Sequence, residues 1–348
     1  MSMKNPLSLQ LNVDDFLPAG EDEKQSLVVM RESVSFWKDG ARRLSKNPIA
    51  MVSLVVLIII FFFSFVVPAF YPYAYEEQIR GSENLAPMTY SQAELAAKEA
   101  GEKVFPHVFG TDSLGRDYAV RVMVGSRVSL TVGIVASALI LLIGSVYGSV
   151  AGFFGGHIDM VMMRIVDIIY TVPDMLIIIL LSVTLKAPLQ ALADAVPGFA
   201  WINTMGVPLI CIFIVFSLLY WVGMARIVRG QVLTIKQQEY ITAARALGAS
   251  SGRIIKKHVL TNCIGVLIVT TTLQIPSAIF TESFLSFIGI GVAAPMPSLG
   301  SLASDAINGL QTYPYRMFAP AIVISVIILA FNLFGDGLRD AFDPKMKN

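Results

Sequence analysis

Long apolar runs alternate with short polar segments over most of the 348-residue chain. A helix needs roughly 20 apolar residues to cross a hydrocarbon core about 30 Å thick, and six runs are of about that length. The predicted spans are Ile49–Val67, Val128–Phe153, Ile168–Leu185, Pro208–Met224, Val259–Ala278 or beyond, and Phe318–Phe334. Lipid offers no partner for unpaired backbone groups, and the short alternating segments of a membrane barrel are absent. The pattern therefore predicts an all-α integral membrane protein with six transmembrane helices.

Composition agrees with a membrane location. Apolar residues make up 55% of the chain and charged residues 15%, with a mean hydropathy of +0.67. Soluble domains average about 45–50% apolar and about 25% charged residues. The net charge of +1 gives no reason to expect a nucleic-acid partner. Cys211 and Cys263 lie in apolar runs, and His107, His157 and His258 are isolated in sequence, so we expect no metal or redox site.

The placement of basic residues predicts the orientation. With six crossings, 18 of the 26 Lys and Arg residues fall on one side of the membrane, seven of them in segment 1–48 and seven in loop 225–258. Because the side richer in Lys and Arg faces the cytoplasm, both termini are predicted to be cytoplasmic. The predicted divisions are a cytoplasmic segment 1–48, a first transmembrane helix 49–67, an extracytoplasmic loop 68–126, a five-helix core 127–338 containing the cytoplasmic loop 225–258, and a cytoplasmic tail 339–348.

The cytoplasmic loop 225–258 is too long for a turn and carries helix signals. The stretch from Glu239 to Gly248 contains good helix formers and ends at a glycine, the usual C-terminal stop. A second helix, Gly252–His258, is expected to lead into the fifth span. Ala243, Ala244 and Leu247 share one helical face, and small side chains there would let another protein approach closely. A lipid-bound amphipathic helix is the alternative, but this face offers little apolar area and no Trp or Phe.

Here the chain resembles a known family. Thr242-Ala-Ala-x-x-x-Gly248 resembles the Glu-Ala-Ala-x-x-x-Gly loop of ABC importer membrane subunits, with Thr242 in place of the usual Glu and Thr261 in place of a following Pro. The flanking residues resemble the oligopeptide/dipeptide/nickel branch, and specifically its C-type permease. Further similar stretches are His107–Asp117, Gly125–Leu130, Gly155–Asp159 with Arg164 and Asp167, Leu285–Gly291, and Gly335–Pro344.

The resemblance implies the type I ABC importer permease (MetI-like) fold in a bacterial plasma membrane. It also implies a peptide importer working by alternating access, with a sister permease, two ABC ATPase subunits and an extracytoplasmic substrate-binding protein. ATP and Mg²⁺ would then be held by the ATPase subunits, with no cofactor in this chain. The candidate ATPase-coupling residues are Glu239, Tyr240, Ala243, Ala244, Arg245, Leu247 and Gly248.

Charged residues in or near the spans need a reason to be there. Asp174 follows Pro173 in the predicted third span, and Glu282 lies near the outer end of the fifth. Both are candidate pathway or gating residues, although an interfacial position is the simpler expectation for each. Arg164 and Asp167 are spaced to pair with each other along one helix.

Other functions are disfavoured by missing motifs. The sequence contains no G-x-x-x-x-G-K-[ST] phosphate loop, no H-E-x-x-H and no G-x-S-x-G. Any ATP hydrolysis would therefore belong to a separate subunit, and a membrane enzyme is not expected. A nickel or other small-solute ABC permease and a stand-alone secondary transporter remain the alternatives to a peptide permease.

Overall fold

The computed structural model describes residues 35–292 and 294–342, and every regular element in those ranges is a helix. Six helical segments within them are long and apolar enough to cross a membrane. These spans are Pro48–Ala69, Tyr118–Phe154, Asp174–Ala195, Val207–Ile235, Ser251–Phe287 and Tyr315–Phe342. The predicted all-α architecture with six spans is confirmed. Residues 1–34 of the predicted segment 1–48, and residues 343–348 of the predicted tail, lie outside the described residues.

The helices are numbered in chain order. The N-terminal half contains α1 (Phe36–Leu44), α2 (Pro48–Phe61), α3 (Gln92–Glu99), α4 (Tyr118–Phe154), α5 (Gly156–Thr171), α6 (Asp174–Ala195) and α7 (Trp201–Met205). The C-terminal half contains α8 (Val207–Leu219), α9 (Trp221–Ile235), α10 (Glu239–Ala246), α11 (Ser251–Ile254), α12 (Leu260–Phe287), α13 (Leu299–Ala306) and α14 (Tyr315–Phe342).

Three of the spans are not single uninterrupted α-helices. The first span continues beyond α2 to Ala69 through a π-turn and a 3₁₀ turn. The fourth span consists of α8 and α9, which meet at Tyr220. In the fifth, α11 joins α12 through the π-turn Ile255–Val259, so the chain stays helical from Ser251 to Phe287 although its hydrogen-bond pattern changes.

The predicted N-terminal boundary of the third span is wrong. The sequence suggested a helix from Ile168 onward, but α5 ends at Thr171 and α6 begins at Asp174. The physical reason is Pro173, which has no amide hydrogen to donate and disfavours helical geometry in the residue before it. Val172 accordingly adopts an extended conformation, with φ −85° and ψ 136°.

A row of glycines brings α4 and α9 into close contact. A Cβ atom added at Gly144 would lie 2.6 Å from the Cβ atom of Met224 on α9. A Cβ atom added at Gly148 would lie 2.9 Å from that of Val228, and one added at Gly152 would lie 2.9 Å from that of Val232. Small residues at every fourth position let membrane helices approach closely and gain van der Waals contact, which replaces the hydrophobic drive that is missing in lipid.

Residues 70–117, predicted to be extracytoplasmic and called the outer segment below, are anchored to the start of α14. Its helix α3 begins with a reciprocal capping box between Ser91 and Glu94. The hydroxyl of Tyr315, at the start of α14, donates to the carbonyl of Leu85 at 2.7 Å, and Arg316 donates to the carbonyl of Thr111 at 3.2 Å. The segment therefore packs as part of the membrane domain.

We predict that Gly148→Leu destabilises the protein, because the added side chain has no room between α4 and α9. Overpacking of this kind costs about 1–3 kcal/mol. Gly230→Leu is the matched control, since Gly230 lies within α9 with no atom within 4 Å of an added Cβ. Thermal unfolding in detergent should show a lower midpoint for Gly148→Leu than for Gly230→Leu, and equal midpoints would refute close packing at this seam.

Candidate functional site

The loop between the fourth and fifth spans, predicted to be cytoplasmic, is folded onto the membrane domain by apolar side chains of its helix α10. Ile241 of α10 is fully buried. It belongs to a core cluster that includes Phe153 of α4, Val232 of α9, Ile254 of α11 and Cys263 of α12. A helix only eight residues long would be marginal alone, so tertiary packing of this kind is what stabilises α10.

The opposite face of α10 is open to solvent. Leu247 is 88% exposed and Tyr240 is 43% exposed. Of the seven predicted coupling residues, six are exposed, namely Glu239, Tyr240, Ala243, Arg245, Leu247 and Gly248. Ala244 differs from the expectation, because it is half-buried and packs against the core cluster under α10. Among the predicted coupling residues, the exposed apolar side chains are therefore those of Tyr240, Ala243 and Leu247.

The turn after α10 has a defined geometry. Gly248 has φ +81°, its amide donates to the carbonyl of Arg245 at 2.9 Å, and the amide of Ala249 donates to the carbonyl of Ala244 at 3.0 Å. This pair of bonds is the Schellman motif, in which a glycine takes the left-handed conformation that other residues avoid. The motif holds Leu247 at the tip of the loop, with its side chain in solvent.

Further contacts fix the loop to α4. The guanidinium of Arg245 lies 4.9 Å from the ring centroid of Phe153, and Nζ of Lys236 donates to the carbonyl of Gly152 at 2.8 Å. These residues come from three different segments, so α10 and the end of α9 are both tied to the C-terminal end of the second span.

Two ion pairs join α5 to α9. Arg229 forms a bidentate pair with Asp159 at 2.5 and 2.6 Å, and Arg226 pairs with Asp167 at 2.8 Å. The expected local pair of Arg164 with Asp167 is therefore wrong, because Asp167 turns toward α9 instead. The bond to Arg229 lowers the pKa of Asp159, since it favours the charged carboxylate.

Asp174 lies at the break between α5 and α6. It is exposed on the wall of a cavity of about 450 Å³, and its Oδ1 accepts from the amide of Met175 at 2.9 Å. The cavity is bounded by the end of α5, the start of α6 and the junction of α8 with α9; its lining residues include Ile169, Tyr170, Val172, Pro173, Tyr220 and Gly223.

Glu282 is not at an interface, contrary to the simpler expectation. It is fully buried in α12, where its carboxylate accepts from the hydroxyls of Ser129 and Ser286 at 2.7 Å each and of Ser283 at 3.3 Å. Ser129 belongs to α4, so the carboxylate joins the second and fifth spans. Sequence spacing along one helix could not show the serine supplied by another.

His107 is also buried, although the sequence suggested an isolated surface histidine. Its Nε2 lies 2.9 Å from Oε1 of Glu94, and its Nδ1 lies 2.8 Å from Oδ2 of Asp117. The ring stacks on Tyr73 with centroids 4.5 Å apart. Asp117 also caps α4 by accepting from the amide of Val120 at 2.9 Å, so this cluster ties the outer segment to the second span.

The family comparisons agree with this geometry. Six helical segments long and apolar enough to cross a membrane define a multi-pass membrane protein. The family model described as binding-protein-dependent transport system inner membrane component matches residues 142–348. The model described as N-terminal TM domain of oligopeptide transport permease C matches residues 35–87. The chain belongs to the family of binding-protein-dependent transport system inner membrane components, which are transport permeases of the inner membrane and not enzymes.

Individual relatives are similar over nearly the whole chain. The oligopeptide transport system permease protein OppC of Bacillus subtilis (strain 168) is 42% identical over 332 residues, which is 95% of this chain and 97% of the relative. The dipeptide transport system permease protein DppC of the same organism is 41% identical over 94% of this chain and 91% of the relative. The oligopeptide transport system permease protein OppC of Escherichia coli (strain K12) is 38% identical over 90% of this chain and 93% of the relative. The resemblance to the C-type permeases is thereby confirmed.

The Glu94–His107–Asp117 cluster gives the outer segment a pH dependence. Burial disfavours a charged His107, but the hydrogen bonds and charges of Asp117 and Glu94 outweigh it and raise the pKa of His107. Burial likewise opposes ionisation of Glu94, but the hydrogen bonds of Ser91 and the contact with His107 lower the pKa of Glu94. Because the pKa of His107 is raised, its stabilising contribution is present at low pH and is lost as the pH rises through that pKa. Because the pKa of Glu94 is lowered, its stabilising contribution is present at higher pH and is lost as the pH falls through that pKa.

We predict that the outer segment is most stable between these two pKa values and loosens on either side. Amide hydrogen exchange of residues 85–117, corrected for the intrinsic effect of pH, measures this loosening. His107→Gln should raise exchange in the stable window and remove the alkaline transition, whereas Glu99→Gln, an exposed acid on the same helix, should change neither. An alkaline transition that persists in His107→Gln would show that another group causes it.

Proposed function

We propose that this chain is a membrane-spanning permease subunit of an ATP-driven importer, forming half of a translocation path for di- or oligopeptides. The observation that carries the proposal is α10, whose outer face is exposed and whose inner face is buried among four other helices of the membrane domain. Such a helix is suited to receive a movement on one side and pass it to the spans on the other. The peptide substrate rests on the relatives, which are named as oligopeptide and dipeptide permeases.

The proposed assembly contains this chain, a sister permease, two ABC ATPase subunits and an extracytoplasmic substrate-binding protein. The family description itself makes transport dependent on a binding protein. ATP and Mg²⁺ would bind in the ATPase subunits, since the sequence has no phosphate loop of its own. The docking surface offered to an ATPase is the exposed face of α10, with Leu247 at its tip and Tyr240 about two helical turns before it.

The mechanism we propose is alternating access. Closure of the ATPases on ATP would displace α10, and the buried contact at Ile241 would carry that displacement to α4, α9 and α12. The continuous helical chain from Ser251 to Phe287 would extend the movement across the membrane, so that the path opens outward. Hydrolysis would then restore the inward-open state. The basic residues of the loop support a cytoplasmic position for α10 and, with it, for both termini.

We predict that Gly248→Trp abolishes coupled transport while leaving the chain in the membrane. Trp is strained at φ +81°, so the loop tip should shift, yet no atom lies within 4 Å of the added Cβ to disturb the core. Peptide uptake by the complete transporter should fall at least tenfold, with unchanged amounts of inserted protein.

The matched control is Gly101→Trp. Gly101 ends α3 in the same Schellman motif, with φ +93° and no atom within 4 Å of an added Cβ, but it lies in the outer segment. Uptake by Gly101→Trp should stay within about twofold of the wild type. Normal uptake by Gly248→Trp would count against α10 as the coupling element, and equal losses in both variants would indicate backbone strain alone.

A further inference from the structure

Helix α1 separates its apolar side chains from its charged ones. With about 100° between successive residues, the apolar residues fall on one arc of the helix. They are Phe36, Trp37, Gly40, Ala41 and Leu44. The charged residues occupy the opposite arc and are Lys38, Asp39, Arg42 and Arg43. This segregation is typical of a helix that lies in a membrane interface, with one side in apolar surroundings and the other in water.

The contacts of α1 place it at the level of the lipid headgroups. The ring centroid of Phe342, the last residue of α14, lies 5.3 Å from that of Phe36 and 6.0 Å from that of Trp37. The apolar part of α14 ends before Phe342, because Asp336 and Arg339 come first. By helical rise these two charged residues lie about 4–9 Å nearer the hydrocarbon than Phe342. The headgroup layer on each side of a bilayer is about 5–8 Å thick, so α1 packs at its depth.

Part of the apolar arc is left uncovered by the rest of the chain. Gly40 is buried, because the ring of Phe342 fills the space where a Cβ atom would lie. Trp37, by contrast, is 52% exposed. The first span begins at α2, only three residues after α1 ends, and its first two turns leave Ile49 and Val52 exposed as well. Lipid covers the exposed side of a span, and tryptophan is enriched at the level where a span leaves the hydrocarbon.

The charged arc has an excess of positive charge. Asp39 pairs with Arg43 at 3.2 Å. The side chains of Lys38 and Arg42, and of Lys46 just after the helix, have no acidic partner among residues 35–292 and 294–342. The last two turns of α14 add one arginine and two aspartates, so basic residues remain in the majority where the two helices meet. Such a surface attracts anionic phosphate headgroups.

We infer that α1 docks on a leaflet of anionic lipid, with Trp37 at the edge of the acyl chains and Lys38, Arg42 and Lys46 on the phosphates. Apolar side chains set the depth of such a helix, and basic side chains next to a span add attraction to anionic lipid. Because Phe36 also packs on Phe342, lipid bound to α1 restrains the start of the first span and the end of the sixth together. This surface is separate from α10 and does not depend on peptide transport.

The first test measures what surrounds the apolar arc. Ala41→Cys, an exposed position on this arc, receives a fluorophore in the complete transporter in vesicles, with partner subunits free of exposed cysteine. Cys211 and Cys263 of this chain are buried and should stay unlabelled. Lipid carrying a nitroxide near its headgroup should quench the label more strongly than acrylamide in the water does. Quenching by acrylamide alone would show a solvated helix, and quenching by neither would show a protein cover. Either result would overturn the inference.

The anchoring residue is tested with the same label. Trp37→Gln should raise the ratio of acrylamide quenching to lipid quenching about threefold, because the apolar anchor is lost. Trp201→Gln is the matched control, since Trp201 is 49% exposed but lies on α7, between the third and fourth spans. An equal ratio in Trp37→Gln and wild type would contradict insertion of Trp37.

The second test measures the preference for anionic lipid. Energy transfer from the label at position 41 is compared for acceptor-labelled phosphatidylglycerol and acceptor-labelled phosphatidylcholine at equal amounts in mixed vesicles. Transfer should favour phosphatidylglycerol about threefold, and the preference should disappear in Lys38→Gln/Arg42→Gln. It should also disappear at roughly 1 M NaCl, where charges are screened beyond about 3 Å.

The matched control for the charge test is Arg80→Gln/Lys103→Gln, which removes two exposed basic residues of the outer segment and should keep the preference. A preference that survives Lys38→Gln/Arg42→Gln, or one that is absent from the wild type, would overturn the inference. Neither readout requires uptake, so a transporter that imports no peptide would contradict the proposed function and leave the lipid result standing.

Discussion

Burial of Ile241 is the contact on which the arrangement of the loop between the fourth and fifth spans depends. Without it, α10 would be a short helix on a loop, free to move independently of the spans. With Ile241 packed among side chains of α4, α9, α11 and α12, any force on α10 acts on the second, fourth and fifth spans together. The Schellman turn at Gly248 and the contact of Arg245 with Phe153 stiffen the same unit.

Two kinds of contact join α4, α5 and α9 into one packed unit, called the block below. The glycines Gly144, Gly148 and Gly152 let α4 meet α9 closely, and the two arginine–aspartate pairs bind α5 to α9. The break at Pro173 and the junction at Tyr220 separate this block from α6 and α8 beyond it. The cavity beside Asp174 lies at that boundary, where a movement of the block relative to α6 and α8 would change its shape.

The sequence predicted what depends on local pattern. Apolar length was enough for six spans, and helix formers with a terminal glycine were enough for the cytoplasmic helix. One failure is local, because Pro173 breaks the predicted third span, and the others involve partners distant in sequence. Asp167 pairs with Arg226, 59 residues away, rather than with its helical neighbour, and Glu282 is enclosed by Ser129 of another span. His107 is buried because Glu94 and Asp117 fold around it, and one chain without its neighbours in space gives no sign of that.

The central claim, that the exposed face of α10 receives the ATPase, is tested most directly by site-specific cross-linking. A photoreactive residue replaces Leu247 at the loop tip, or Leu142 as a control, which is 66% exposed on α4 away from the loop. In the assembled transporter we expect a cross-link from position 247 to an ATPase subunit and none from position 142. An assembled, active transporter that gives no ATPase cross-link from position 247 would contradict the account.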